Sequence, residues 1–301
     1  MSYESELLDI NTEKLLADIL YFIRNYIIGL KKEGVLVGLS GGIDSCVVLK
    51  LCVEAVGKDN VLAVILPEKD SDSKNIKDAL KFADSLDVRI IYKKITPFLW
   101  LLGVYNLYPP SFIIKKSLQE KFVKKEIDKI SKRIKEDIFI ANLEGHSDKD
   151  LNKGIAYYRI KHRIRSSILF YYSELNNYLF VGTVNKTERI TGFFVKYGDS
   201  VADIMPLNSL YKTQVIKLAK FLKIDESIIE KQPSPDLIPG IKDEDMIGLP
   251  YIKLDLILFG IENNYTDNDI IKVSNASQTE IDRVKKIIEK SEYLRAWPIG
   301  L

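Results

Sequence analysis

A short apolar run, Val35 to Leu39, leads straight into Ser40-Gly41-Gly42-Ile43-Asp44-Ser45, and a helix-like stretch from Cys46 to Val56 follows. An unbroken apolar run of this length is the pattern of a strand buried on both faces of a parallel sheet. Two adjacent glycines let the backbone turn tightly and approach a ligand with no Cβ in the way. The helix that follows offers unpaired amide N–H groups and the positive end of its dipole, an anion site suited to a pyrophosphate. The Gly-Lys-Ser/Thr ending of a Walker A loop is missing, so the terminal phosphates must be held in another way. An ordinary strand-to-helix turn is the bland alternative, and the serines at both ends and the aspartate within argue against it.

The flanking sequence extends the pattern. From Thr12 to Leu30 apolar residues recur at helical spacing, which predicts an amphipathic helix ahead of the first strand. Val61–Leu66 and Val88–Tyr92 read as further strands, with a helix at Ser73–Leu86 between them. Alternating strands and helices predict an α/β fold, a doubly wound parallel sheet flanked by helices, Rossmann-like, with ligands beyond the carboxyl ends of the strands. Residues 97–153, aromatic-rich at first and then lysine-studded, break the rhythm and read as an insertion. A helix at Ile155–Tyr178, a strand at Leu179–Val181 and a helix at Leu210–Leu222 come next, with a helical C-terminal segment at 260–301. One domain spanning residues 1–301 is expected.

Composition agrees with a globular enzyme and excludes other classes. Of 301 residues, 46% are hydrophobic and 29% charged, which fits neither a disordered nor a fibrous chain. Forty-four basic residues nearly balance forty-two acidic ones, so no global field favours nucleic acid or a membrane surface. Cys46 and Cys52 lie in an apolar helical stretch and read as buried structural thiols. The N-terminus lacks the basic and apolar regions of a secretory signal, and no apolar run approaches the ~20 residues of a membrane span, so a cytoplasmic location is expected.

Ser-Gly-Gly-x-Asp-Ser resembles the pyrophosphate loop of the N-type ATP pyrophosphatases, whose fold is of the adenine nucleotide alpha hydrolase type and which cleave ATP to AMP and pyrophosphate. The loop alone implies a reaction type and no acceptor. The second half narrows it: Arg159-Ile-Lys-His-Arg163-Ile-Arg165 and Gly182-Thr183-Val184-Asn185-Lys186-Thr187-Glu188 resemble NAD synthetase segments. The likeness continues through Thr191 to Asp199, Asp203, Leu210 to Gln214, Pro233-Ser234-Pro235-Asp236-Leu237, and Asp243-Glu244 ahead of Gly248 and Tyr251. Motifs in matching order are far more specific than any single one.

The resemblance implies roles by position. Asp44 and Glu188 stand where that family holds Mg2+, a cation suited to one or two carboxylates with phosphate and water completing its shell. Asp44, Lys186 and Lys212 are the implied catalytic residues, the lysines offering compact charge to the α-phosphate. ATP would be held by Ser40, Gly41, Gly42, Asp44, Ser45, Arg163 (with Arg165), Thr183, Lys212 and Ser234. The acid substrate would meet Arg159, Phe193, Lys196, Asp199 and Asp203, although core packing is the alternative for one of Phe193 and Phe194. His146 and His162, the two histidines, are expected to be non-catalytic. Arg159, Val184 and Val195 depart from the residues common in NAD synthetases, on the side nearer the acid than the phosphates.

The expected reaction is therefore ATP-dependent amidation of nicotinate adenine dinucleotide to NAD through an acyl-adenylate, releasing AMP and pyrophosphate. With no amidase segment in the sequence, ammonia is the expected nitrogen donor, free or delivered by a separate protein. A different small carboxylic acid is the alternative substrate, and a nucleotide sensor without turnover a third reading. A tRNA-modifying role lacks the expected cysteine pairs and basic appendage. The resemblance also implies a homodimer, for which Leu169-Phe170-Tyr171-Tyr172 could supply an apolar contact.

Overall fold

The computed structural model describes residue 7 and residues 10–107, 116–232 and 243–296. Four strands form one all-parallel sheet: β1 (Gly34–Gly38), β2 (Val61–Ile65), β3 (Arg89–Tyr92) and β4 (Tyr178–Val181), in the order β3-β2-β1-β4. Val35 lies opposite Val61 on one side and Leu179 on the other, so β1 is the central strand from which the order runs both ways. The fold class expected from the sequence is the one observed.

Alternate residues serve two cores. Val35, Val37, Val61, Ala63, Leu179 and Val181 face one layer with α1 (Thr12–Gly29), α2 (Ile43–Val56), α3 (Ser73–Ser85) and, further on in the chain, the helix at Lys212–Phe221. Leu36, Leu62, Val64 and Phe180 face the other with α4 (Thr96–Leu101) and a long helix, Lys149–Leu175. Side chains alternate across a strand, and both sets are apolar, which explains why the strands read as unbroken hydrophobic runs. Cys46 and Cys52 lie in the first core, and burial pushes the Cys46 thiol up to about 12.

The described residues of 97–153 form α4, a 3-10 turn at Val104–Leu107, α5 (Lys116–Ile134), α6 (Ile138–Glu144) and the start of the long helix α7 (Lys149–Leu175). That helix begins earlier than the expected Ile155 because Asp148 caps it, accepting from the amides of Asp150 and Leu151 at 3.0 and 2.9 Å. It stops at Leu175, short of the expected Tyr178: Asn177 takes a left-handed φ of 51° and Tyr178 opens β4. After β4 come α8 (Lys186–Thr191), α9 (Lys212–Phe221), α10 (Glu226–Ile229), α11 (Asp243–Ile247), α12 (Tyr251–Glu262), α13 (Asp267–Ser274), α14 (Gln278–Lys290) and α15 (Glu292–Arg295). No helix among the described residues is long and apolar enough to cross a membrane.

Strand order reverses between β1 and β4, and in open α/β sheets ligands sit beyond the strand ends at that point. There the structure has a cavity of about 310 Å³.

Candidate active site

The glycine loop forms one wall of this cavity. Helix α2 starts at Ile43, sooner than the expected Cys46, so Asp44 and Ser45 lie in its first turn with Gly42 as the capping residue. Nothing intrahelical can pair with the first amides of a helix, and here they open at the end of β1. The serines set the loop's shape: Ser45 Oγ donates to Gly42 O at 2.9 Å, and the two hydroxyls lie 3.1 Å apart. Gly41 has φ +82°, and a Cβ there would sit 2.2 Å from Asn75 O, so the loop presses on α3 in a way only glycine allows.

Four side chains converge beside the loop. Lys212, only 1% exposed at the start of α9, is ion-paired with Asp44 Oδ2. Asn185 donates to Asp44 Oδ1 at 3.0 Å, and its own oxygen caps α8 by accepting from the Glu188 amide at 3.0 Å. Glu188 completes that capping box, its Oε2 accepting from the Asn185 amide at 3.1 Å. Burial, and after it the charge of Asp44, raises the Glu188 pKa well above the carboxylate range. For Lys212 burial works against the ammonium, but Asp44 and Glu188 outweigh it and hold the group above its ordinary value. Asp243, hydrogen-bonded at 3.0 Å by the Tyr251 hydroxyl, is pushed up to about 6 by burial, against the pull of Lys212. Its other oxygen is buried without a hydrogen-bond partner.

A deeper carboxylate fixes these elements to one another. Asp255 on α12 accepts from the Thr187 hydroxyl at 2.5 Å and the Thr213 amide at 2.8 Å, and the Lys212 amide donates to Thr187 at 2.9 Å. The placement of Lys212 and Glu188 thus rests on a buried network in which both Asp255 oxygens and the Thr187 hydroxyl have partners.

Of the residues expected from the sequence, Ser40, Gly42, Asp44, Ser45, Thr183, Glu188, Phe193, Asp199 and Lys212 line the cavity. Phe193 also packs inward, its ring 5.9 Å from that of Phe139. The others have different settings. Lys186 pairs with Glu262 and lies 4.4 Å over the Tyr211 ring. Arg163 donates to Lys196 O at 3.3 Å, Lys196 to Tyr293 O at 2.7 Å, and Arg159 to Asn142 O at 2.9 Å. Asp203 accepts from the Phe180 amide at 2.7 Å and anchors the end of β4. Ser234, with the rest of 233–242, lies outside the described residues.

Helical spacing explains the arginines. Tyr158, His162, Arg165, Ser166 and Leu169 of α7 line the cavity, a stripe that recurs every three to four residues, and Arg159 and Arg163 sit one position off it. Arg165 takes the wall position and donates to Leu66 O at 3.0 Å. His162 is kept below its ordinary pKa by burial, which Asp199 opposes from 3.7 Å while Arg165 and Lys161 reinforce it. Asn142 and Lys231 also line the wall and carried no local sequence signal.

Among the described residues no three His, Cys, Asp or Glu side chains are grouped to hold a metal ion by themselves. Asp44, Glu188 and Asp243 are carboxylates that line the cavity.

Comparison with known proteins finds relatives along nearly the whole chain. The family model described as NAD synthase matches residues 15–104 and 110–298. The NH(3)-dependent NAD(+) synthetase of Thermotoga neapolitana is 45% identical over 279 residues, 92% of this chain and 93% of that protein. That of Methanocaldococcus jannaschii is 35% identical over 286 residues, 95% of each. Among solved structures, the NH3-dependent NAD synthetase of Campylobacter jejuni, in complex with the nitrate ion, superposes with a TM-score of 0.67 at 26% identity, covering 97% of this chain and 99% of that one. The NMN synthetase of Francisella tularensis, at TM-score 0.73 and 23% identity over 97% and 99%, shares the fold. Matched along nearly its whole length, the chain belongs to the NAD synthase family.

Proposed function

We propose that this protein amidates nicotinate adenine dinucleotide with ammonia, consuming ATP and releasing AMP, pyrophosphate and NAD. The observation that carries the reading is the glycine loop at the strand-order reversal, with Asp44, Lys212 and Glu188 gathered beside it. A carboxylate oxygen of the substrate attacks the α-phosphorus, the bond to the β-phosphate oxygen breaks, and pyrophosphate leaves with the electron pair. Ammonia then attacks the acyl carbon of the adenylate, the bond to AMP breaks, and nitrogen loses a proton to give the amide. Positioning and electrostatics suffice for both steps.

The α2 amides and Ser45 hold the pyrophosphate end, and Lys212 stabilises charge building on the α-phosphate. Asp44 and Glu188 would hold Mg2+, which when bound neutralises the triphosphate. The fit rests on Glu188, whose carboxyl is raised above its ordinary range by desolvation and then by the charge of Asp44, and on the unpartnered oxygen of Asp243, both of which a cation relieves. Phe193 and Asp199 shape the acid side, joined by Phe139 and Asn142 from the segment at 97–153. Val184 and Val195, both nearly buried in that wall, are the residues through which another small carboxylic acid could be selected instead. A homodimer, a cytoplasmic setting and ammonia supplied free or by a separate protein complete the proposal.

The test is direct: incubate the protein with ATP, magnesium and ammonium, and add nicotinate adenine dinucleotide or nicotinate mononucleotide in parallel. NAD and AMP should form in equal amounts with the dinucleotide. Pyrophosphate released only with another carboxylate would move the assignment to that acid.

A further inference from the structure

Lys231, just past α10, reaches back across the molecule to the glycine loop. Its Nζ donates to Gly41 O at 2.9 Å and to Asn75 Oδ1 at 3.1 Å, and it is ion-paired with Asp78. The lysine lines the same cavity as Lys212 but sits against the other flank of the loop, where Asn75 and Asp78 of α3 stand.

The bond to Gly41 O has a consequence for anion binding. A peptide plane between two glycines can rotate at little steric cost, since neither residue has a Cβ to oppose it. In one orientation its carbonyl turns into the anion site and repels a phosphate. In the other its N–H does so and attracts one. Oxygen and N–H lie on opposite sides of a trans peptide, so a cation that captures Gly41 O fixes the Gly42 N–H on the side away from α3. The Gly42 amide is there at the cavity wall, donating over 3.3 Å to Ser40 Oγ, and both groups line the cavity that a phosphate would enter.

We propose that Lys231 is a positioning residue for pyrophosphate: by capturing the Gly41 carbonyl it holds the loop in its anion-accepting orientation, and its charge adds to the field at that flank. Asn75 and Asp78 hold the ammonium in place. This rests on the reading of the loop as the pyrophosphate site.

Titration calorimetry of the full-length protein with magnesium pyrophosphate tests it, beside steady-state kinetics. Lys231→Met should weaken pyrophosphate binding roughly tenfold or more, the size of one lost charge-assisted hydrogen bond. KM for ATP should rise in parallel while KM for the acid substrate stays within twofold. Lys231→Arg, which keeps the cation, should recover most of the loss. Ser45→Ala, inside the loop, runs alongside as the control for the site. If Ser45→Ala weakens pyrophosphate and Lys231→Met does not, the role given to Lys231 is wrong. If neither does, the loop reading falls with it. Equal losses in both KM values and in thermal stability, unrescued by arginine, would make Lys231 a purely structural brace and overturn the proposal.

Discussion

Asp44 accepts from both Asn185 and Lys212 and stands next to Glu188, so its charge is used by every neighbour it has in the site. Asn at this position keeps the shape but removes the charge that pairs with Lys212 and would bind the cation. Asp44→Asn should lower kcat/KM roughly a hundredfold or more, the several kcal/mol that metal-assisted charge stabilisation supplies. Initial rates together with a circular dichroism melt check it, and a folded variant with unchanged turnover would remove Asp44 from the machinery. At this scale the sequence was most legible where chemistry imposes a motif. Asp44 stands out from its glycine loop, whereas Glu188 and Lys212 rest mainly on their match to NAD synthetase segments, and the structure brings all three to one cavity. Lys231 could not be picked out, because one lysine among forty-four basic residues is marked only by the distant carbonyl it reaches. Arg163 was taken together with Arg165 because they are adjacent to the same motif, and only the phase of α7 separates the one on the cavity wall from the one beside Lys196.

Elements were legible in proportion to how fully their periodicity declared them. Strands β1, β2 and β4 declared themselves because both faces are covered, and the β-α alternation then fixed the sheet order's reversal in outline. The first turns of α7 did not, since Leu151 is the one apolar side chain in residues 149–154 and the helix's N-cap lies in the stretch that reads as an insertion. Asp148 there does two jobs, capping α7 and accepting from Arg133 Nε of α5 at 2.6 Å. That hydrogen bond, with help from the Leu151 amide, holds its carboxyl down at about 2. A carboxyl with a lower pKa in the folded state stabilises fully above its unfolded value of about 4, and the contribution fades as pH falls through 2. Asp148→Ala should therefore cost roughly 0.5–2 kcal/mol near neutral pH, the value of a lost N-cap. Urea unfolding at pH 7 and at pH 3 should show the gap between parent and variant shrinking in acid, whereas a gap that widened there would contradict the assignment. Further along α7, Lys161 is fully buried between Glu68 and Asp70 at 2.9 and 2.6 Å, tying this helix to the loop after β2. No periodicity rule expects a charged residue there, because a buried ion pair depends on partners far away in the chain.

At the scale of the whole molecule, the fold leaves apolar surface exposed. The run Leu169-Phe170-Tyr171-Tyr172 was the sequence's candidate for a subunit contact, yet Leu169 is buried and Phe170 and Tyr172 pack against the sheet's second core. Tyr171 alone of the four is largely exposed, at 57%. The stronger candidate is α4 and its exit, where Trp100, Leu101 and Leu102 are 67%, 81% and 59% exposed while Leu99 between them and the sheet is fully buried. Contiguous exposed apolar residues of this kind are where association is expected. The sequence hid this because Leu99 to Leu102 is uniformly apolar, and the side chain that faces the sheet cannot be told from those that face away without the helix's orientation. If the protein is a homodimer through this face, sedimentation should give twice the chain mass of 34.4 kDa for the parent. A double variant, Trp100→Glu with Leu101→Glu, places charges where no partner can solvate them and should sediment as the monomer. Both residues are exposed in the single chain, so the variant's fold and its ATP site should survive, which a thermal melt and pyrophosphate binding can check. A parent that sediments as a monomer refutes the dimer, and a variant that stays dimeric places the contact on another face, leaving α4 to be covered by something other than a second copy.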